Sequence, residues 1–223
     1  MVRKALSIVL TLAAIVLLTG RTTAQDKLPE RAWGENNKVG ALAVTDSTVV
    51  HPGESFRLAV DVEIEAGWHI YGNPTGPGTG KATELSVAAP KGIRFSPVLY
   101  SKPFKYEQPD LGPDEWVWAY EGHARLFLEG HVAADVAPGD HEVKLTLDVL
   151  ACTDSCVPDF VEFKAIIRVA AAGSAKQPAF AKLFQEFDQA RTAGGKAASE
   201  LQAGDPATEP APAVTPPRSP AHG

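Results

Sequence analysis

The chain has 223 residues, of which 21 are lysine or arginine and 27 are aspartate or glutamate, so its formal net charge is −6 at pH 7. This acidic balance, with no basic patch, excludes electrostatic binding of nucleic acid, because phosphate contacts need a positively charged surface.

The first residues have the pattern of a secretory signal peptide. Arg3 and Lys4 precede an apolar run from Ala5 to Leu18, and Thr22-Thr23-Ala24 offers small residues for cleavage near Ala24. An uncleaved anchor is the alternative, but the run is short for a membrane span, and nothing after residue 24 is apolar for long enough to insert stably. We therefore predict a signal peptide over residues 1–24 and an exported protein in an oxidising compartment, most simply a bacterial periplasm.

Residues 33–170 form the predicted globular domain, and their hydrophobic period is two. Apolar and polar side chains alternate in the runs 56–64, 142–152 and 161–169. Turns rich in proline and glycine, such as His51-Pro52-Gly53 and Pro138-Gly139-Asp140, separate these runs. The pattern predicts an all-β fold, an immunoglobulin-like antiparallel β-sandwich.

Two further segments follow the predicted sandwich. An apolar stripe with the spacing i, i+3, i+4 and i+7 predicts a short amphipathic helix over residues 177–193, built on Phe180, Leu183, Phe184 and Phe187. Such a helix docks on its own domain or binds a partner, and both alternatives are open. Residues 194–223 are rich in alanine and proline and cannot bury enough apolar surface to fold, so we predict a disordered tail.

The two cysteines of the chain, Cys152 and Cys156, lie in the stretch VLACTDSCVPDF. In an oxidising compartment they are expected to form a disulfide, which could be a structural staple or a redox centre. The alternation of the strand places Cys152 on the outward face, one residue after the inward Ala151. A staple across so short a loop would contribute only ~2 kcal/mol.

A metal half-site is the third alternative for the cysteine pair. No His or Cys follows closely behind the two cysteines, and the other candidate histidines show no metal-ligand spacing. These histidines are His69, His123, His131 and His141. We therefore predict neither a metal nor another cofactor. In a redox centre, the flanking carboxylates of Asp148, Asp154 and Asp159 would disfavour a thiolate. Such a pair would exchange well only with a partner that brings its own activated thiolate.

Several motifs, taken in order, resemble a known family. They are GWHIY at residues 67–71, APKG at 89–92, YEG at 120–122 and the final Cys-x-x-x-Cys-x-Pro at 152–158. This order resembles the amino-terminal periplasmic domain of the DsbD and ScsB-type transmembrane thiol:disulfide reductases, over about residues 38–169. The spacing of three between the cysteines is similar to the ScsB-like branch.

The resemblance implies an immunoglobulin-like domain with one redox-active disulfide, here Cys152-Cys156. In that family the domain accepts electrons from a thioredoxin-like domain and passes them to periplasmic oxidoreductases, and the resemblance implies the same role here. The loop 104–118 would supply a cap over the disulfide. The residues implied as surroundings or cap are Tyr71, His69, Trp116, Trp118, Asp154 and Pro158. Ordinary packing is the alternative for Tyr71, and core packing is favoured for the two tryptophans.

The leading hypothesis is therefore a periplasmic thiol:disulfide interchange protein, a thiol:disulfide oxidoreductase that acts as an electron relay. Since the sequence holds no membrane or thioredoxin-like domain, we expect separate partners: the thioredoxin-like domain of a membrane reductase as donor, and periplasmic oxidoreductases or clients as acceptors. The alternative is a non-catalytic immunoglobulin-like adaptor or binding module with a structural hairpin disulfide.

Overall fold

The computed structural model describes residues 27–108, 112 and 115–189. The predicted signal peptide, the predicted disordered tail and the predicted end of the helix lie outside these described residues. The described strands run in chain order as follows: β1 Ala32–Trp33, β2 Val39–Thr45, β3 Ser55–Ile64, β4 His69–Tyr71, β5 Glu84–Ala88, β6 Ile93–Phe95, β7 Leu99–Tyr100, β8 Phe104–Glu107, β9 Trp116–Glu121, β10 His123–Val132, β11 Gly139–Cys152 and β12 Cys156–Val169.

The strands form two antiparallel sheets. The first has the order β1-β2-β3-β10-β6, with β7 also paired to β10, and the second has the order β12-β11-β4-β9-β8, with β5 also paired to β11. Their inner faces enclose one large hydrophobic core. The predicted all-β sandwich is confirmed, and the period of two is its cause, because alternation gives each strand one apolar face to bury.

The core is built from the alternating residues of the predicted strands. In β3 these are Phe56, Leu58, Val60, Val62 and Ile64, and each is at most 3% exposed. In β11 they are Val143, Leu145, Leu147, Val149 and Ala151, and each is at most 1% exposed. Burying one such valine, leucine, isoleucine or phenylalanine side chain stabilises the fold by about 1.5–3 kcal/mol.

The longest pairing joins β11 and β12. It extends from Gly139 opposite Val169 to Cys152 opposite Cys156. The tip between them is the three residues Thr153-Asp154-Ser155, where the Thr153 amide donates to the Ser155 carbonyl at 3.0 Å. Hairpin pairing up to the tip therefore sets the two cysteines directly across from each other.

A buried carboxylate fastens β12 to the other sheet. Asp159 is 1% exposed, and its oxygens accept hydrogen bonds from the backbone amides of Asn36 at 3.1 Å, Lys38 at 3.2 Å and Val39 at 3.4 Å. Gly34 allows this approach, because a Cβ there would lie 2.1 Å from Asp159 Oδ1. Several amide donors on one carboxylate offset the cost of burying its charge.

The C-terminal helix α1, described over residues 181–189, lies on the outer face of the first sheet. Phe184 and Phe187 are each 2% exposed and pack with four sheet residues: Leu42, Val44, Ala59 and Phe127. Salt bridges from Arg57 to Asp188 at 3.0 Å and from Arg125 to Glu186 at 2.9 Å flank this contact. The described part of the helix is thus docked on its own domain. No helix in the described ranges is long and apolar enough to span a bilayer.

We expect the substitution Asp159→Asn to lower the free energy of unfolding by about 1–3 kcal/mol, because the amide group would place its own N–H beside the backbone donors. Urea denaturation checks this. The matched control is Asp140→Asn, which removes a carboxylate from an exposed pair with Arg168 and should shift the midpoint much less. Equal shifts in the two variants would contradict the anchoring role of Asp159.

Candidate functional site

The two cysteines form a disulfide at the end of the β11–β12 hairpin, with their Cα atoms 4.1 Å apart. The two residues differ sharply in burial, because Cys156 is exposed whereas Cys152 is 1% exposed. Alternation correctly separates Cys152 from the main core, which Ala151 joins. Yet this outward face is not open to solvent at Cys152, because a second small cluster with Tyr71 and Val117 covers it. An outward position on a strand is thus not the same as an exposed one.

Tyr71, the last residue of β4, holds its hydroxyl against the disulfide. Its oxygen lies 3.4 Å from Cys152 Sγ and 3.9 Å from Cys156 Sγ. Since neither sulfur of a disulfide carries a hydrogen, the hydroxyl is the donor. Burial raises the pKa of Tyr71, so the hydroxyl keeps its proton at neutral pH. Gly80 allows the loop to lie on the ring, because a Cβ there would come within 2.4 Å of it.

His69 and Tyr106 complete the cover over Cys152. His69 is the residue of β4 directly opposite Cys152, and its ring stacks on Tyr106 with centroids 4.3 Å apart. Its edge also meets Tyr71 at 5.7 Å. Burial lowers the pKa of His69, which favours the neutral ring. Tyr106 belongs to β8, inside the range predicted to supply a cap, although no signal in the sequence distinguishes this residue within that range.

The carboxylates near the disulfide place less unpaired negative charge beside the sulfurs than the sequence suggests. Asp148 forms a salt bridge with Lys81 at 2.5 Å, and the Lys81 ammonium also lies 5.3 Å from the centre of the Phe160 ring. Asp159 points away from the sulfurs toward backbone amides, and Asp154 is exposed at the hairpin tip. Lys81 was missed because it lies far from the cysteines in sequence, and only the fold brings it to Asp148.

The remaining predicted site residues divide into two groups. Pro158 lies on the same face of β12 as Cys156, exposed and opposite Leu150. Trp116 and Trp118 pack edge to face with centroids 4.9 Å apart, on the face of β9 opposite Val117, which contacts the cluster around Cys152. Both tryptophans are half-buried, and the loop at Gly76 lies against the ring of Trp116.

No group of three or more His, Cys, Asp or Glu side chains in the described residues is placed to hold a metal ion. The reactive groups that this arrangement brings together are the two sulfurs of the disulfide. One sulfur is open to an attacking thiolate, and the other is held beneath a hydroxyl donor in an apolar cluster.

Comparison with known structures finds similar folds at low sequence identity. The N-terminal periplasmic domain of ScsB from Proteus mirabilis aligns with a TM-score of 0.44 and 16% identity, over 70% of this chain and 54% of that one. The chain thus spans about half of the ScsB structure. The GAE domain of GGA2p from Saccharomyces cerevisiae aligns with a TM-score of 0.32 and 10% identity, over 64% and 98% of the two chains.

No curated protein matches the sequence. The family model described as "Thiol:disulfide interchange protein DsbD, N-terminal" matches residues 39–167, which cover β2 through most of β12 and include both cysteines. The resemblance seen in the sequence motifs is confirmed. The chain belongs to the family of DsbD N-terminal domains.

Proposed function

We propose that this protein is a periplasmic thiol:disulfide oxidoreductase that relays reducing equivalents through Cys152 and Cys156. The observation that carries the proposal is the unequal burial of the two sulfur-bearing residues, since Cys156 is exposed and Cys152 is not. Thiolate attack on a disulfide needs access to the sulfur that is attacked. Cys156 is therefore the entry point for a partner.

In the first half-reaction, a thiolate of a reduced partner attacks Cys156 Sγ. A bond forms between the partner sulfur and Cys156, the Cys152–Cys156 bond breaks, and Cys152 leaves as a thiolate. A second thiolate of the partner then attacks the partner's own sulfur in the mixed disulfide and releases Cys156. The partner becomes a disulfide, and this protein takes up two electrons, with two protons from solvent, as a dithiol.

The second half-reaction runs in the opposite sense on a client disulfide. The Cys156 thiolate attacks a client sulfur, and a mixed disulfide again forms at Cys156. Cys152 Sγ, now a thiolate, attacks Cys156 Sγ and restores the internal disulfide while the client leaves reduced. Cys152 is thus the resolving cysteine in this direction and the leaving group in the other.

Tyr71 supports the step in which Cys152 leaves. Its hydroxyl, 3.4 Å from Cys152 Sγ, can donate a hydrogen bond to the negative charge that develops there. This matters because Cys152 is buried, and burial by itself disfavours a thiolate. The salt bridge between Lys81 and Asp148 also reduces the repulsion that an unpaired carboxylate would exert.

The surroundings of Cys156 suit a protein partner. Pro158 and Phe160 lie on the same face of β12, and Phe160 is 51% exposed. Exposed apolar side chains beside a reactive sulfur favour docking of another protein surface. We propose a thioredoxin-like domain of a membrane thiol:disulfide reductase as donor and periplasmic oxidoreductases or other periplasmic proteins as acceptors.

The variant Cys152→Ser should trap partners as mixed disulfides, because it leaves the exposed Cys156 thiol without its resolving thiol. The matched variant Cys156→Ser leaves only the buried Cys152 thiol and should trap far less. Both variants are expressed with their signal peptide in a bacterial periplasm, and non-reducing electrophoresis followed by mass spectrometry identifies the adducts. Equal trapping, or trapping by Cys156→Ser alone, would contradict attack at Cys156.

The reduction potential separates the relay from the adaptor with a structural bridge. An exchanging disulfide should equilibrate with glutathione or thioredoxin at a potential above about −300 mV, whereas a structural one lies below that value. A value well below −300 mV, together with no trapping by Cys152→Ser, would reject the relay and favour the adaptor.

We expect Tyr71→Phe to slow reduction of the disulfide by a small dithiol roughly three- to tenfold, the equivalent of one lost hydrogen bond. Stopped-flow measurement under identical pH and dithiol concentration checks this. The control is Tyr106→Phe, which removes a hydroxyl from the other tyrosine of the cover while keeping the ring stacked on His69. A slowing that is the same in both variants would assign the effect to the cover and not to the Tyr71 hydroxyl.

Stability should fall when the pH drops below about 6.5, the ordinary pKa of histidine. The folded state lowers the pKa of His69 through burial, so the unfolded chain binds this proton more readily and is stabilised relative to the folded chain as the pH falls. Urea unfolding at about pH 7.5 and about pH 5.5 measures the difference. His69→Gln should reduce it, whereas His131→Gln, on the other sheet, should preserve it. An unchanged difference in His69→Gln would contradict this role.

A further inference from the structure

The outer edge of β12 is closed at both ends and open between them. Near its start, Asn36 Nδ2 donates to the Pro158 carbonyl at 2.6 Å. Near its end, the Val50 amide donates to the Arg168 carbonyl at 2.9 Å. Between these contacts, residues 160–166 pair with no strand of the described chain on this side. This stretch borders an open groove of about 1210 Å³.

The contacts at the two ends identify which backbone groups face the groove. The outward groups are the carbonyls of Pro158 and Arg168 and the amide of Ala170, which donates to the Val50 carbonyl at 2.9 Å. All three are even-numbered, and backbone direction alternates along a strand. Four residues therefore direct their N–H and C=O groups toward the groove: Phe160, Glu162, Lys164 and Ile166. Such an unpaired edge can pair with another strand.

The side chains of the same four residues lie on the outer face of the sheet in an order that is complementary to its own reverse. Phe160 and Ile166, at the ends, are 51% and 42% exposed. Glu162 and Lys164, between them, are exposed and opposite in charge. Lys164 bonds Glu142 of β11 at 2.9 Å, and Glu162 has no salt bridge among the described residues. The order is apolar, acidic, basic, apolar, centred on Phe163.

We propose that two copies of this chain associate by antiparallel pairing of their β12 edges about a two-fold axis at Phe163. In this register Phe160 lies opposite Ile166 of the second copy, and Glu162 lies opposite Lys164. Each pair exchanges two backbone hydrogen bonds, and both kinds of cross-strand side-chain pair are favourable. An isologous contact of this kind closes as a dimer.

The neighbouring registers are disfavoured by charge and by the closed ends. Moving the axis to residue 162 places Glu162 opposite its own copy, and moving it to 164 does the same to Lys164. Like charges directly opposite each other destabilise a strand pair. Both registers also bring residues 160–166 against Pro158, which has no N–H, or against Arg168, whose carbonyl is already bonded.

The dimer leaves both disulfides open. β12 begins at Cys156, and the two copies run in opposite directions, so the two Cys156 residues lie at opposite ends of the pair. At about 3.3 Å per residue they are about 45 Å apart. The association thus provides two separate reactive sites on one continuous sheet, and it does not depend on whether those sites exchange disulfides.

Sedimentation equilibrium of the mature chain between about 10 µM and about 1 mM tests the proposal, because a single strand pair is a small interface and binds weakly. The mass should rise from monomer to dimer. E162K alone and K164E alone place like charges opposite each other and should remain monomeric. An equimolar mixture of these two variants should dimerise, and so should the double variant E162K/K164E.

Glu142→Gln is the matched control, since it removes the in-chain partner of Lys164 without changing the edge charges, and it should dimerise as the unaltered chain does. Amide hydrogen exchange locates the contact. The amides of Phe160, Glu162, Lys164 and Ile166 should become protected as the concentration rises. The proposal is overturned by a monomer at every concentration or by a dimer that ignores both charge inversions. Protection of these amides already in the monomer would also overturn it, because another segment of the chain would then cover the edge.

Discussion

Antiparallel pairing between β11 and β12 is the interaction on which the arrangement of the site depends. It places Cys152 directly opposite Cys156 and puts Pro158 and Phe160 on the same face as Cys156. A slip of one residue would turn Cys152 toward the core and Ala151 outward, because every side chain would change face. The buried alternating residues of β11 prevent that slip, and Asp159 holds the start of β12 against the turn before β2.

The disulfide adds little to a hairpin that is already paired from end to end. The loop it closes is short, so the chain entropy it removes is small, at ~2 kcal/mol. The surroundings of the two sulfurs also differ from each other, which a purely structural disulfide does not require. Cys152 lies under a tyrosine hydroxyl and a stacked histidine, whereas Cys156 is exposed. This asymmetry gives the two sulfurs different surroundings without any difference in the cysteines themselves.

The two outer faces of the sandwich have separate roles in the fold. Helix α1 covers the outer face of the first sheet through Phe184 and Phe187. The outer face of the second sheet carries the disulfide and the exposed Phe160. Because the helix lies on the opposite side of the core, it stabilises the domain while leaving Cys156 exposed. The edge of β12 belongs to neither face and leaves the backbone groups of residues 160–166 without a strand partner on its outer side.

Much of this could be predicted from the sequence, and the successes have local causes. The alternation in β3 and β11 predicted the strands and their buried faces. The spacing of Phe180, Leu183, Phe184 and Phe187 predicted a C-terminal helix, which begins at residue 181, directly after Phe180. The motif GWHIY pointed to the strand that holds His69 and Tyr71. These features depend on residues close together in the chain, so periodicity and motif order are enough to find them.

The failures have non-local causes. The outward position predicted for Cys152 does not reveal that the residue is buried, because Tyr71 and Val117, from two other strands, cover it. Lys81 reaches Asp148, and Tyr106 stacks on His69, only because the fold brings together segments that are far apart in the sequence. By itself the sequence determined the strands, their buried faces and the cysteine pair. Only the tertiary structure decided which sulfur is reachable, because burial is set by the residues that other strands lay over a side chain.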